Sequence, residues 1–168
     1  MKYLRWFGIA LAVLAVGGAV WYPNRTDPVA MLAGRALSGE VANELIEDWS
    51  FADEHRLIKV ETRPAAPHSV TTASLVFEGD LYVPAKSGST KSWTQYALAD
   101  ARARLKIGDR VYPVSLARVR DEALIERLIA FAVKKTRAEV GRDMEIPEDV
   151  WVFKVQSRNP RDVAAAQD

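Results

Sequence analysis

The chain has 168 residues, 23 of them basic and 22 acidic, a net charge of +1 and no cysteine. That length holds one domain plus an appendage. The charge balance excludes a phosphate-gripping nucleic-acid binder, which carries a clear basic excess, and the missing cysteines exclude disulfides, thiolate metal sites and a cysteine nucleophile. The charge is also unevenly placed: residues 1–23 hold Lys2 and Arg5 and no acid, leaving 21 basic and 22 acidic residues on the remainder.

From Trp6 to Tyr22 the chain is uncharged and almost wholly aliphatic. Seventeen residues at 1.5 Å each span roughly 25 Å, the short end of what crosses a bilayer. Tyr3, Trp6 and Phe7 flank one end and Trp21 and Tyr22 the other, where interfacial aromatic belts belong. Residues 4–22 are therefore expected to meet membrane lipid as a single-pass anchor. Lys2, Arg5 and the amino terminus outweigh Arg25, which puts the N-terminus in the cytoplasm and the body outside it, in the periplasm or its equivalent. A cleaved signal peptide is the alternative, with Gly17 and Ala19 as the small residues before a cut. The bulky Trp21-Tyr22-Pro23 favours the uncleaved anchor.

Asp27-Pro28 can open a helix. The recurrence of Val29, Leu32, Ala36, Val41, Leu45 and Ile46 predicts one or two helical pieces over 28–48. Residues 24–50 then read as a helical linker. Strands are predicted at Leu57–Thr62, at Ser69–Phe77, at Leu81–Val83 after a Glu78-Gly79-Asp80 hairpin turn, at Ala103–Ile107, at Val111–Val119 after Gly108-Asp109, and at Val150–Val155. Pro84 to Ser92 reads as a loop, Ser92 as the N-cap of a short helix starting at Trp93, and Asp121 as the cap of a long helix. Leu124, Ile125, Leu128, Ile129 and Ala132 form one apolar face of that helix. The tail 159–168 reads as disordered. Six strands, mostly hairpin-connected, with one short and one long helix give an α+β domain over 51–158, and closure into a small barrel disposes of the edges.

The order Thr62-Arg63, Gly79-Asp80, Leu81-Tyr82-Val83, the Lys86–Lys91 loop, Trp93, Leu98, Arg104-Leu105 and Gly108-Asp109-Arg110 resembles the FMN-binding split β-barrel superfamily, the pyridoxamine 5'-phosphate oxidase-like fold. Within it the chain is most similar to the small deazaflavin-dependent nitroreductase-type proteins. The resemblance implies a six-stranded, mainly antiparallel split barrel. It implies FMN or a deazaflavin as cofactor, its phosphate on Lys86, Ser87, Lys91 and Ser92, its ring system against Ser69, Thr71 and Thr72. It also implies a homodimer. A loop running into a helix N-terminus supplies N–H groups and a favourable dipole end for such a phosphate. Trp93 either packs over the ring or anchors the short helix in the core.

His68, between Pro67 and a strand, either has a role, contacting a phosphate or titrating near neutral pH, or is simply a surface residue. Two unrelated histidines give no metal-ligand spacing, so no metal is expected. Arg102, Arg104, Lys106 and Arg110 form a basic row whose simplest reading is a solvated strand face. Lys134, Lys135 and Arg137 complement the C-terminal dipole of the long helix. Two functions stay open. One is a membrane-anchored oxidoreductase acting on a small molecule or quinone, with an electron donor that no motif names. The other is a non-catalytic binding or assembly module that has lost its cofactor. The Pro64–His68 stretch, where many relatives carry a basic residue and glycines, favours the second.

Overall fold

A computed structural model describes residues 26–29, 32–141 and 146–159, together with the single positions Trp6, Phe7, Val13 and Val16. Apart from those four positions the anchor expected over 4–22 lies outside the described residues, as does the 159–168 tail after Asn159. Among the described residues no helix is long and apolar enough to cross a membrane.

Eight strands form one sheet: β1 (Glu40–Val41), β2 (Leu57–Thr62), β3 (His68–Ala73), β4 (Leu75–Phe77), β5 (Asp80–Lys86), β6 (Arg102–Ile107), β7 (Arg110–Arg118) and β8 (Val150–Ser157). Helix α1 (Ser92–Ala99) follows β5 and helix α2 (Glu122–Val140) follows β7. The order across the sheet is β3-β2-β6-β7-β8-β5-β4, antiparallel throughout, with β1 added to β7 in parallel. The sheet curls until its two ends meet. There Thr72 Oγ1 of β3 donates to the Pro84 carbonyl of β5 at 3.3 Å, with no ladder between the two strands. This mostly antiparallel, curled sheet with two helices is a split barrel.

Alternation builds the interior. In β6, Ala103, Leu105 and Ile107 point inward and are buried, while Arg102, Arg104 and Lys106 point outward. Ile58 and Val60 of β2, Leu81 and Val83 of β5, Val114 and Leu116 of β7, and Phe153 and Val155 of β8 join them in one cluster. Fully burying each such side chain contributes about 1.5–3 kcal/mol. Trp93 of α1 is part of this cluster and packs on Phe153 at a ring separation of 5.4 Å. It is the anchor of the helix.

Four features depart from the sequence reading. First, the count is eight strands rather than six. The predicted strand Ser69–Phe77 breaks at Ser74, whose N–H donates to the Arg56 carbonyl and whose hydroxyl donates to the His55 carbonyl. Those bonds turn the chain out of register with β2 so that β4 pairs with β5 instead. Second, β5 runs on through Pro84-Ala85-Lys86 into the predicted loop. Proline is tolerated there because β4 stops at the Leu75–Tyr82 pair and asks no N–H of it. Third, α1 is capped by Lys91 with no side-chain cap bond, and Ser92 is its first residue. Thr94 Oγ1 donates to the carbonyls of Gly88 and Lys91 and ties the helix start to the loop.

The fourth departure is the largest. No helix forms among the described residues of 26–48. Val29, Leu32, Val41 and Leu45 are exposed, so their helical spacing makes no buried face. The backbone is spent on the sheet instead: Gly34 and Ser69 exchange both N–H···O bonds, Leu37 donates to Glu61, and Ala42 donates to Val111. At Gly34 a Cβ would lie 2.4 Å from the Thr26 carbonyl oxygen, so only glycine lets the two backbone stretches pass. The expected Asp121 cap does form, accepting from Leu124 N–H at 3.2 Å. Helix α2 then runs beyond the Lys134–Arg137 patch to Val140 and ends on Gly141 in the left-handed region.

Candidate functional site

The seam where the barrel splits opens into a cavity of about 590 Å³, within the range of small-molecule sites. Its floor is β3 and β5, through Val70, Thr71, Thr72 and Ala85; its roof is α2, through Leu128, Ile129 and Ala132. The helix lies there because only one of its residues, Leu128, is fully buried, against Tyr82 and Val152. Leu124 packs beside that cluster and Phe131 on Phe77, which leaves Ile129 and Ala132 over the opening.

The two ends of the cavity differ in charge. At one end Lys135 of α2 pairs with Asp53 and Glu139, and Arg56 lies 3.8 Å from Glu139, so the cations there are matched by carboxylates. At the other end Lys86 and Lys91 line the cavity, both are exposed, and neither has an ion pair or side-chain hydrogen bond among the described residues. Thr71 and Thr72 of β3 also line the cavity, the Thr72 hydroxyl donating to the Pro84 carbonyl.

The loop between the lysines faces elsewhere. Ser87 and Gly88 donate their N–H groups to the Asp149 carbonyl at 2.7 and 3.4 Å, and Ser89 donates its N–H and hydroxyl to Asp149 Oδ2 at 3.0 and 2.6 Å. The Ser89 donors hold the Asp149 carboxyl below the usual carboxylate range. Gly88 lies so close to Trp151 that a Cβ would fall 2.3 Å from its ring, while the Arg118 guanidinium sits 3.5 Å from the centre of the same ring.

No protein-family model matches the chain, and no curated protein does. Among solved structures it is similar to a candidate pyridoxamine 5'-phosphate oxidase from Listeria innocua, at 14% identity and TM-score 0.50, over 65% of this chain and 89% of that one. The chain shares the split-barrel fold of that protein. Weaker similarity extends to a conserved hypothetical protein from Mycobacterium tuberculosis (14% identity, TM-score 0.48, covering 72% of this chain and 86% of that one). It extends also to a FAD-binding protein from Mesorhizobium loti (11% identity, TM-score 0.45, covering 62% and 81%).

In this split barrel the nine residues expected to hold a cofactor divide. Thr71, Thr72, Lys86, Lys91 and Trp93 line the cavity. Ser87 and Ser92 do not; the Ser87 N–H is taken by Asp149, and Ser92 is exposed at the start of α1. Ser69 is fully buried beneath the lead-in segment at Gly34, its hydroxyl without a partner among the described residues. His68 stands edge-on to Tyr96 of α1 at 5.5 Å, with the Arg63 guanidinium 4.5 Å from the same ring. Burial, and secondarily the Arg63 charge, push the His68 pKa below its ordinary 6.5, so the ring is neutral at pH 7.

The ion cluster Asp53, Arg56, Lys135 and Glu139 and the loop's partner Asp149 were not among the expected site residues. Lys135 and Glu139 carry a detectable signal, the i, i+4 spacing that puts two side chains on one helix face. Asp149 carries none, because it lies 60 residues from the Ser89 it binds. Among the described residues no group of three or more potential ligands is placed to hold a metal ion.

Proposed function

We propose that this chain is a flavin-binding split barrel held at a membrane by residues 4–22, with the body of the protein on the extracytoplasmic side. The observation that carries the cofactor reading is the cavity at the seam, lined by Thr71, Thr72 and the apolar side chains of α2, with Lys86 and Lys91, which have no ion pair among the described residues, at one end. A flavin mononucleotide has the matching polarity: an apolar ring system, a polar tail and one anionic terminus. Lys86 and Lys91 would neutralise that terminus, the Thr71 hydroxyl would hydrogen-bond the ring edge, and Val70, Leu128 and Ile129 would exclude water from its face. When bound, such a cofactor supplies hydride chemistry, and the protein supplies binding and orientation. The substrate class we assign is a small molecule or a quinone, which an anchored protein meets in the bilayer; the fold-level resemblance adds a homodimer. Anchoring is supported by the uncharged run from Trp6 to Tyr22 and by Lys2 and Arg5 before it.

A second reading, a binding module without cofactor, is favoured by the loop, whose central donors are already satisfied by Asp149. Titrating FMN, and separately a deazaflavin, into the full chain in mild detergent separates the two. Quenching of flavin fluorescence that saturates within tens of micromolar is the expected result. A chain that is folded by circular dichroism and quenches neither cofactor belongs to the second reading.

A further inference from the structure

The loop between Lys86 and Lys91 has the composition of an anion-binding turn, and an anion is already in it. Asp149, on the approach to β8, takes four donors from three consecutive residues: the N–H groups of Ser87 and Gly88 on its carbonyl, and the N–H and hydroxyl of Ser89 on Oδ2. Thr90 turns inward too, its N–H and hydroxyl both donating to the Ser87 carbonyl. Gln95 Nε2 closes the turn by donating to the Ser89 carbonyl at 2.9 Å. None of residues 87–90 lines the cavity, whereas the lysines on both sides do. The turn is fixed in this pose by Gly88 packed on Trp151 and by Thr94 Oγ1 donating to the Gly88 carbonyl at 2.6 Å.

A phosphate entering the turn would have to displace a carboxylate that already has its hydrogen bonds, and would meet that carboxylate's like charge on the way. We propose that Asp149 is a specificity-determining residue: its carboxylate takes the two Ser89 donors that would otherwise be open to a ligand phosphate, while its backbone carbonyl holds Ser87 and Gly88, so the site meets that phosphate with Lys86 and Lys91 alone. The wild-type cavity therefore discriminates weakly between phosphorylated and unphosphorylated flavin, and removing the Asp149 carboxylate opens the two Ser89 donors to a phosphate.

This inference rests on the cavity's being a flavin site, and its test separates the two ideas. Full chain in mild detergent, as wild type, Asp149→Ala and Asp149→Asn, is titrated with FMN and with riboflavin. The wild type is expected to favour FMN by no more than about tenfold. Asp149→Ala should bind FMN about tenfold more tightly than wild type with riboflavin unchanged. Asp149→Asn, which keeps an acceptor for Ser89 and so guards against a collapsed turn, should gain about threefold. FMN affinity unchanged or weakened in both variants, with the wild-type circular dichroism spectrum, overturns the inference. So does a wild type that favours FMN by a hundredfold. If no variant binds either flavin, the flavin reading fails and the role of Asp149 is judged with inorganic phosphate by NMR. Shifts of the Ser89 and Thr90 amides in Asp149→Ala but not in wild type support it; no shift in either overturns it.

Discussion

The outer face of β2, β6 and β7 and the mouth of the cavity both carry cations on strand positions, and the protein treats them in opposite ways. On the outer face each of these cations is paired with an acid. Asp27 accepts from Lys59 at 2.8 Å and Lys106 at 2.7 Å, Glu61 takes Arg104 through two parallel bonds of 2.9 and 2.6 Å, and Glu44 takes Arg110. Most of those acids come from the lead-in segment 26–44, which lies strapped across the sheet. At the cavity the acids within reach are spent on Lys135 and Arg56, or on the loop, and Lys86 and Lys91 are left over. Cations on the outer sheet face are paired within the chain, while Lys86 and Lys91 at the cavity have no ion pair among the described residues.

The comparison breaks most visibly at Arg104. Glu61 has only 6% of its side-chain surface exposed and receives Leu37 N–H as well as the guanidinium. Arg104→Ala leaves a buried carboxylate without its countercharge and should cost about 3–5 kcal/mol, read as a lowered midpoint in urea. Lys86→Ala, on the same scale, should stay within about 0.5 kcal/mol. A similar loss at both positions would erase the distinction between the two faces.

At the cavity the effect should appear in binding rather than stability. The double variant Lys86→Ala/Lys91→Ala removes two solvent-exposed charges, together worth about 0.7–1.4 kcal/mol after screening. FMN affinity should fall roughly threefold to tenfold while riboflavin affinity holds, and raising the salt should shrink the gap. Equal weakening of both flavins would mean that the lysines shape the pocket rather than read the phosphate.

The smallest effect expected is the pH dependence of the strap. Burial alone would raise the Asp27 pKa, but hydrogen bonds from Lys106, Lys59 and Ser38 outweigh it and hold the carboxyl far below its ordinary 3.8. A carboxyl whose folded pKa is depressed contributes stability that is complete above the unfolded value and is lost as pH falls toward the folded one. The stability difference between wild type and Asp27→Asn should therefore be flat from pH 7 to about pH 5 and shrink below about pH 4. A difference that changes between pH 5 and pH 7 would assign the strap to another group.

Much of this architecture was legible in the residues and some was not, for reasons that can be named. Period-2 alternation marked β6 and β7, and β-prone composition marked β2 and β8. The Glu78-Gly79 and Gly108-Asp109 turns found their hairpins. The lead-in failed because its apolar residues sit at helical intervals by chance while its backbone is committed to distant partners, Ser69, Glu61 and Val111, that no local window contains. For the same reason the basic row looked solvated: Asp27 lies 79 residues from Lys106. Five of the nine expected site residues line the cavity. The loop's serines do not, since a lone aspartate far along the chain decides which way they face.

Hydrogen–deuterium exchange of the full chain with and without saturating FMN tests the central claim most directly. The account predicts slowed exchange in three stretches, Val70–Ala73, Ala85–Trp93 and Leu128–Thr136, and none over Arg102–Val111 on the outer face. Protection confined to the outer face, or a bound flavin that protects none of the three stretches, would contradict it.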